Sequence, residues 1–360
     1  MKKLALVIGT RPNFVKAAPF LIEARKHPEY DITIIHTGQH FDDEMSKIFL
    51  DELDIRKPHI LLDIKGNFHT EKIGKMFNAL NIEIAKNNFS AVIVFGDVNS
   101  TLAGALAAAK NNCCLIHVEA GLRSHDRRMP EEINRVIVDH LSDLLFTTEP
   151  SANENLSIEG ISSDKIKYVG NIMIECLEYF WNKISENNIH EKLNIGTEPY
   201  YVATIHRQEN TDDPKILHEI LLILTGVAAE HKVIFPLHPG TLKKIQENNF
   251  HDLLSNLDVI NPLGYFEFIK LISESKGVIT DSGGIQEETS YLGVPCATLR
   301  DNTERPVTLT LGSNKLFGIE KNNIHNILEH LDRTDFPVKN IPLWDKNVSK
   351  RIFTELKTFL

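Results

Sequence analysis

The sequence predicts an α/β protein built from two doubly wound domains, each a parallel sheet covered by helices. Two observations lead there. Short apolar, β-branched runs recur along the chain, each followed by a longer stretch of helical periodicity. The runs also fall into two series: 4–8, 32–36, 91–95, 115–118 and 144–147, then 200–204, 233–237, 259–260, 278–280 and 297–299. A continuous apolar strand followed by a helix marks a parallel sheet buried on both faces, and two such series mark two sheets.

The length, 360 residues, is that of about two domains. The expected division is 1–170 and 171–345. The exchange falls near Val169-Gly170-Asn171, or in the polar stretch 186–199. Residues 346–360 have the pattern of an amphipathic helix, expected to dock back on the first domain. Doubly wound sheets take ligands outside the carboxyl ends of their strands, so a central cleft between facing domains is the expected site. Chemistry-bearing residues should then follow strands directly.

Composition narrows the function. Apolar residues make up 42% and charged residues 24%, ordinary for a soluble globular chain. A net charge of −10 argues against nucleic-acid and anionic-membrane partners. Met1-Lys2-Lys3 followed by 4–8 resembles a leader only superficially, because the apolar run is short and Arg11 and Pro12 follow closely. No run has the length of a membrane span. Cys113, Cys114, Cys176 and Cys296 form no CxxC pair, so they read as core thiols in a reducing, cytoplasmic setting.

Three motifs follow strands of the first series. Gly9-Thr10-Arg11-Pro12-Asn13 combines a tight turn with a helix start, and Arg11 and Lys16 add positive charge there. It is either an anion site or a plain strand–helix turn. No GxGxxG or P-loop pattern occurs, which disfavours a nicotinamide dinucleotide. Phe95-Gly96-Asp97-Val98-Asn99 puts Asp97 where a strand ends, either as a helix cap or as a site acid. His117-Val118-Glu119 ends a buried strand on a carboxylate, which is costly without a partner. Glu131 and Glu132 follow Pro130 in a first helical turn, where acids also offset the helix dipole. Arg123, Arg127, Arg128 and Arg135 are available to balance these acids. Asp97, Glu119 and Glu131 nevertheless come from separate strand ends and converge on one rim.

The second series carries three more. In Thr204-Ile205-His206-Arg207-Gln208-Glu209-Asn210 a histidine stands beside an arginine, a usual pairing next to phosphates. His238 follows the next strand and reads as a hydrogen-bonded strand-end residue. In Thr280-Asp281-Ser282-Gly283-Gly284-Ile285-Gln286-Glu287-Glu288 the glycines bare the backbone as a helix begins, a cradle for phosphate, and Glu288 is placed to grip a ribose. Arg300-Asp301-Asn302-Thr303-Glu304-Arg305 adds two cations. No HExxH motif occurs among the 16 histidines, so no metal is expected.

In their order, GTRPNFVKAAP, TGQH, GDVNSTLAGALAAA, HVEAGLRS…MPEEINR, HRQEN, TDSGGIQEE and RDNTERP resemble the non-hydrolysing UDP-N-acetylglucosamine 2-epimerases, from Leu4 to about Gly318. The resemblance implies a GT-B-like pair of Rossmann-like domains, a UDP-sugar substrate, no metal or nicotinamide cofactor, and a homodimer. It assigns Asp97, Glu119 and Glu131 as catalytic acids and His206 as the catalytic histidine. Arg11 and Lys16 are its basic active-site residues. Ser282, Gly283, Gly284 and Glu288 are its UDP site with Arg305 nearby, and Phe268 is the aromatic near the uracil.

The implied chemistry is elimination of UDP to 2-acetamidoglucal, followed by re-addition after protonation from the other face. The pattern also resembles relatives that epimerise UDP-2,3-diacetamido-glucuronic acid. A retaining GT-B glycosyltransferase shares the fold but needs an acceptor. One departure concerns regulation. After Gln39-His40, the branch activated by its own substrate carries an Arg and a later Gln. This chain has Phe41-Asp42-Asp43-Glu44-Met45 instead, acids where a second substrate's diphosphate would need cations, which argues against a regulatory substrate site.

Overall fold

Two parallel sheets carry the strands of this computed structural model, which describes residues 1–38, 50–62, 64 and 69–360. The segment after Gly38, on which the regulatory expectation rests, lies outside the described residues. The chain divides into two compact units, Met1–Phe180 with Pro342–Leu360, and Trp181–Ile341. The exchange thus falls after Phe180, one helix later than Gly170.

In the first unit the strands are β1 (Lys2–Ile8), β2 (Tyr30–His36), β3 (Ile60–Leu61), β4 (Ala91–Phe95), β5 (Cys114–Ala120), β6 (Leu144–Thr147) and β7 (Ile166–Tyr168). They are ordered β3-β2-β1-β4-β5-β6-β7. The helices used below are α1 (Arg11–Ala24), α2 (His69–Asn87), α3 (Asn99–Lys110), α4 (Pro130–Leu141), α5 (Pro150–Ile158) and α6 (Ile172–Tyr179). Strands β1 and β4 are buried almost throughout, as their unbroken apolar runs require. The alanine-rich helix α3 packs closely on them: a Cβ at Gly104 would stand 3.0 Å from Val94 and 3.3 Å from Val7.

The last helix, Val348–Phe359, belongs to this unit. Its Phe353 ring stacks on Phe20 at 4.8 Å and on His27 at 4.4 Å. Ser349 donates from its backbone N–H and its hydroxyl to Glu175 of α6, at 2.7 and 2.6 Å.

In the second unit β8 (Tyr200–Thr204), β9 (Lys232–Pro236), β10 (Asp258–Ile260), β11 (Gly277–Thr280), β12 (Cys296–Thr298) and β13 (Asn314–Leu316) are ordered β10-β9-β8-β11-β12-β13. Helices α7 (Pro214–Ala228), α8 (Pro239–Glu247), α9 (Tyr265–Ser273), α10 (Gly283–Leu292) and α11 (Ile324–Leu331) surround the sheet. Asp213 starts α7 by accepting the Lys215 N–H at 2.8 Å, with Pro214 in the first turn. His238 does the same for α8 through the Gly240 N–H, which gives this histidine a capping role.

Both sheets reverse direction of growth at their centre, between β1 and β4 and between β8 and β11. Such a switch point opens a crevice at the carboxyl ends of the strands. Among the described residues no helix is long and apolar enough to cross a membrane.

Candidate active site

At the β1–α1 turn the structure explains each residue of the first motif. Asn13 accepts at one side-chain oxygen from the Gly9 N–H (3.1 Å), the Thr10 N–H (3.3 Å) and the Thr10 hydroxyl (3.2 Å). Its amide donates to the Phe95 carbonyl at 3.2 Å and so ties the ends of β1 and β4 together. A Cβ at Gly9 would meet the Ser100 hydroxyl at 1.9 Å and that of Thr37 at 2.4 Å, so only glycine fits. Arg11 opens α1 half-buried, and Lys16 lies one turn further in, buried.

Lys16 reaches the end of β5, where its ammonium pairs with Glu119 at 2.5 Å. Glu119 is 2% exposed and sits at φ 71, in the left-handed region. The pairing of β5 with β6 shifts register between Val118 and Ala120, so Glu119 forms a bulge. A non-glycine residue held there costs about 1–3 kcal/mol, and such positions cluster at functional sites.

Gly96 lies against the ion pair. At φ 60, its added Cβ would stand 2.7 Å from the Lys16 nitrogen and 3.7 Å from a Glu119 oxygen. Asp97 is the next residue, so two of the three expected acids lie at the ends of adjacent strands, β4 and β5. The Asp97 carboxylate pairs with Arg135 at 2.5 Å, and its carbonyl accepts from the Asn134 amide at 2.7 Å.

Glu131, the third acid, is half-buried in the first turn of α4. Its neighbour Glu132 does more than offset the dipole. It accepts from the backbone of Ser124 and His125 (2.9 Å each), from the Ser124 hydroxyl and from Arg135. Burial would raise the Glu132 carboxyl, but the Ser124 N–H and the Arg135 charge hold it below its ordinary value. Arg135 thus bridges Glu132 and Asp97. Arg123 serves elsewhere, on Asp139 and Glu159 at 2.7 Å each.

In the second unit His206 follows β8, and Asp281 follows the adjacent β11. The fully buried Asp281 accepts from the N–H groups of His206 and Arg207 and from the Asn210 amide, all within 3.2 Å. The His206 ring meets it through Nδ1 at 3.1 Å, with the side chain 47% exposed. Nε2 is therefore the ring nitrogen left for a ligand. Burial would raise Asp281; the His206 charge and hydrogen bond, with the Arg207 N–H, hold it low. Asp281 is the orienting residue that sequence reasoning passed over inside a glycine-rich motif.

Ser282, Gly283 and Gly284 form the start of α10 beside this loop. An added Cβ at Gly283 would meet Glu304 at 2.5 Å and Arg305 at 3.2 Å. The two cations expected for phosphate carry internal pairs: Arg305 bonds Glu287 at 2.7 Å and Glu304 at 2.9 Å, and Arg300 bonds Glu304 at 3.0 Å. Arg207 joins the same Glu304 at 3.2 Å.

Glu288 is buried. Burial pushes its carboxyl up to about 8, against a hydrogen bond from Tyr265 and with the help of neighbouring Glu287. In its protonated form it can donate as well as accept a hydrogen bond. Phe268 lies half-buried on α9, one turn after Tyr265. Among the described residues no group of three His, Cys, Asp or Glu side chains is arranged to hold a metal ion.

With this geometry in hand, known proteins supply the family. The family described as UDP-N-acetylglucosamine 2-epimerase matches residues 22–357. A UDP-N-acetylglucosamine 2-epimerase homolog from Methanococcus maripaludis is 44% identical over 92% of either chain. The UDP-2,3-diacetamido-2,3-dideoxy-D-glucuronate 2-epimerase of Pseudomonas aeruginosa is 40% identical over 89% of this chain and 90% of its own. A crystal structure of the Methanocaldococcus jannaschii UDP-GlcNAc 2-epimerase, in complex with UDP-GlcNAc and UDP, covers 99% of each chain at 39% identity with a TM-score of 0.93. The fold class is α/β and GT-B-like, and the chain belongs to the UDP-N-acetylglucosamine 2-epimerase family of isomerases.

Proposed function

We propose that this chain interconverts UDP-N-acetylglucosamine and UDP-N-acetylmannosamine by elimination and re-addition of UDP. The observation that carries the reading is Glu119, a carboxylate kept at a strained strand end against Lys16, with Asp97 on the neighbouring strand end.

The C2 proton of the sugar is not beside a carbonyl, so direct removal is hard. Breaking the C1–O bond first sends its electron pair to the diphosphate and leaves an oxocarbenium-like centre, beside which C2–H becomes acidic. A carboxylate takes that proton and the C1=C2 bond forms, giving 2-acetamidoglucal. Protonation of C2 from the opposite face, with the UDP oxygen returning to C1, completes the inversion. The acid and base roles fall among Asp97, Glu119 and Glu131, held in unlike surroundings: Glu119 buried on Lys16, Asp97 partly exposed on Arg135.

The departing diphosphate falls to His206 through Nε2 and to the first turn of α10 at Ser282, Gly283 and Gly284, with Arg305 behind them; the family resemblance adds Arg11. Glu288 takes the ribose and Phe268 the uracil. No step calls for a metal or a redox cofactor, because no electrons leave the substrate and protein dipoles receive the leaving charge. The family resemblance supports a homodimer as the working assembly, which sedimentation tests directly.

The test is incubation with UDP-N-acetylglucosamine in D2O, read by proton NMR. Deuterium should enter C2 of both sugars without any acceptor present, unlike a glycosyltransferase. The 40% identical relative named for the diacetamido-glucuronate makes that nucleotide sugar the second substrate to run. A folded enzyme that exchanges the C2 proton of neither overturns the reading.

A further inference from the structure

Something must hold Glu119 where its backbone does not rest by preference. The residues two before and two after it are both fastened to one side chain. His117 donates through Nδ1 to one oxygen of Asp139 at 2.7 Å, and the Gly121 N–H donates to the other at 3.1 Å. Asp139 comes from α4, is fully buried, and lies outside every motif assigned above. Arg123 completes its shell at 2.7 Å. Burial would raise the Asp139 carboxyl; the His117 hydrogen bond and charge, then Arg123, hold it low, so it stays an acceptor.

The clasp has a second arm. The far nitrogen of the His117 ring donates to the Gly96 carbonyl at 2.8 Å. Gly96 is the residue that lies against the Lys16–Glu119 pair and precedes Asp97. One carboxylate therefore fixes the bulge that carries Glu119 and, through one imidazole, the turn that carries Asp97. We propose that Asp139 is a positioning residue for the epimerisation, setting the spacing of Glu119 and Asp97 through His117 and Gly121. This rests on the function proposed above, in which those two acids handle the sugar's protons.

The geometry separates a positional role from a charge role. In Asp139→Asn, the amide oxygen still accepts from Gly121 and Arg123, and its NH2 meets Nδ1 of a neutral His117 that keeps donating to Gly96. The clasp survives without its charge. In Asp139→Ala both arms are lost. Displacement of a reacting group by about 1 Å costs on the order of 10²-fold in rate.

Asp139→Ala should therefore lose about 30- to 100-fold in kcat, with KM and UDP affinity within about twofold of wild type, and Asp139→Asn should stay within about threefold of wild type. The deciding measurement is a double-mutant cycle with Glu119→Gln. If Asp139 works through Glu119, Asp139→Ala adds little to a chain already lacking that carboxylate, about threefold at most. A purely structural residue would lower Tm and leave kcat per folded molecule and the cycle additive. Should Asp139→Ala not fold, by circular dichroism and UDP titration, Asp139→Ser replaces it and returns one hydroxyl to Arg123. Unchanged kcat in the alanine variant, equal loss in the asparagine variant, or an additive cycle overturns the proposal. A Glu119→Gln enzyme with the wild-type rate instead strikes at the role given to Glu119.

Discussion

Glu175 offers a stability measurement whose sign and size follow from its surroundings. The carboxyl is buried on α6, pushed up from 4.5 to about 7 by burial against the hydrogen bonds from Ser349, with Glu23 adding to the rise and Arg351 opposing it. Between those values the unfolded chain has shed the proton and the folded chain still holds it, so stability falls as pH rises. At 1.36 kcal/mol per unit the loss totals about 3 kcal/mol, absent below pH 4.5 and complete above about pH 7.

Glu175→Gln removes the titration and keeps an acceptor for Ser349. Its uncharged oxygen forms weaker bonds, which returns about 1 kcal/mol of the gain. The variant should match or slightly trail wild type at pH 5 and exceed it by about 1–3 kcal/mol at pH 9. In a domain of this class each kcal/mol moves Tm by about 2–4 °C, so the curves should separate by several degrees. Urea and thermal unfolding across pH 5–9, followed by tryptophan fluorescence, give both numbers. Parallel stability curves for the two proteins would refute the reasoning, because no other substitution-dependent proton is involved.

Four further outcomes are expected. Asp97→Asn, Glu119→Gln and Glu131→Gln should each lower turnover by about 10²–10⁴-fold while UDP titrates normally; three near-native rates would dismiss the assignment. Full activity should survive exhaustive chelation, and restoration by a divalent ion after loss would contradict the metal-free mechanism. Gly96→Ala puts a Cβ 2.7 Å from the Lys16 nitrogen at φ 60, so it should cost about 1–3 kcal/mol of stability and most of the activity; a crystal structure with the Lys16–Glu119 pair undisturbed would argue otherwise. From pure UDP-N-acetylmannosamine the reverse reaction should start without added glucosamine form and follow a hyperbola, and a lag relieved by a trace of that form would show a second substrate site.

The central strands were legible because a strand buried on both faces must be apolar throughout, as in 4–8 and 91–95. The edge strands β3, β7 and β13 were not, being two or three residues long with no run to betray them. Site residues that follow strands announced themselves by type and place. Their supports did not. Asp139 sits inside a helix pattern, and its link to His117 joins residues brought together only by packing α4 on β5. Asp281 was visible as a letter in a motif, but its hold on His206 depends on β8 and β11 being neighbours, which only the sheet order reveals. Arg300 was read as a phosphate cation from its charge and Arg305 from its charge and the family resemblance, whereas Glu304 and Glu287 already meet that charge. Glu131 and Glu132 are identical in type and adjacent; only the family resemblance separates them in the sequence, and the clamp that Glu132 forms on Ser124 and His125 appears only in the fold.

The return of the last helix to the first unit sets an order on the ribosome. The strands of the first unit emerge early, yet the surface formed by Phe20, His27 and Glu175 stays uncovered until Val348–Phe359 has been made. The second unit, Trp181–Ile341, is contiguous and complete before that point. During synthesis the later unit can therefore finish first, while the earlier one waits with the seat of its last helix uncovered.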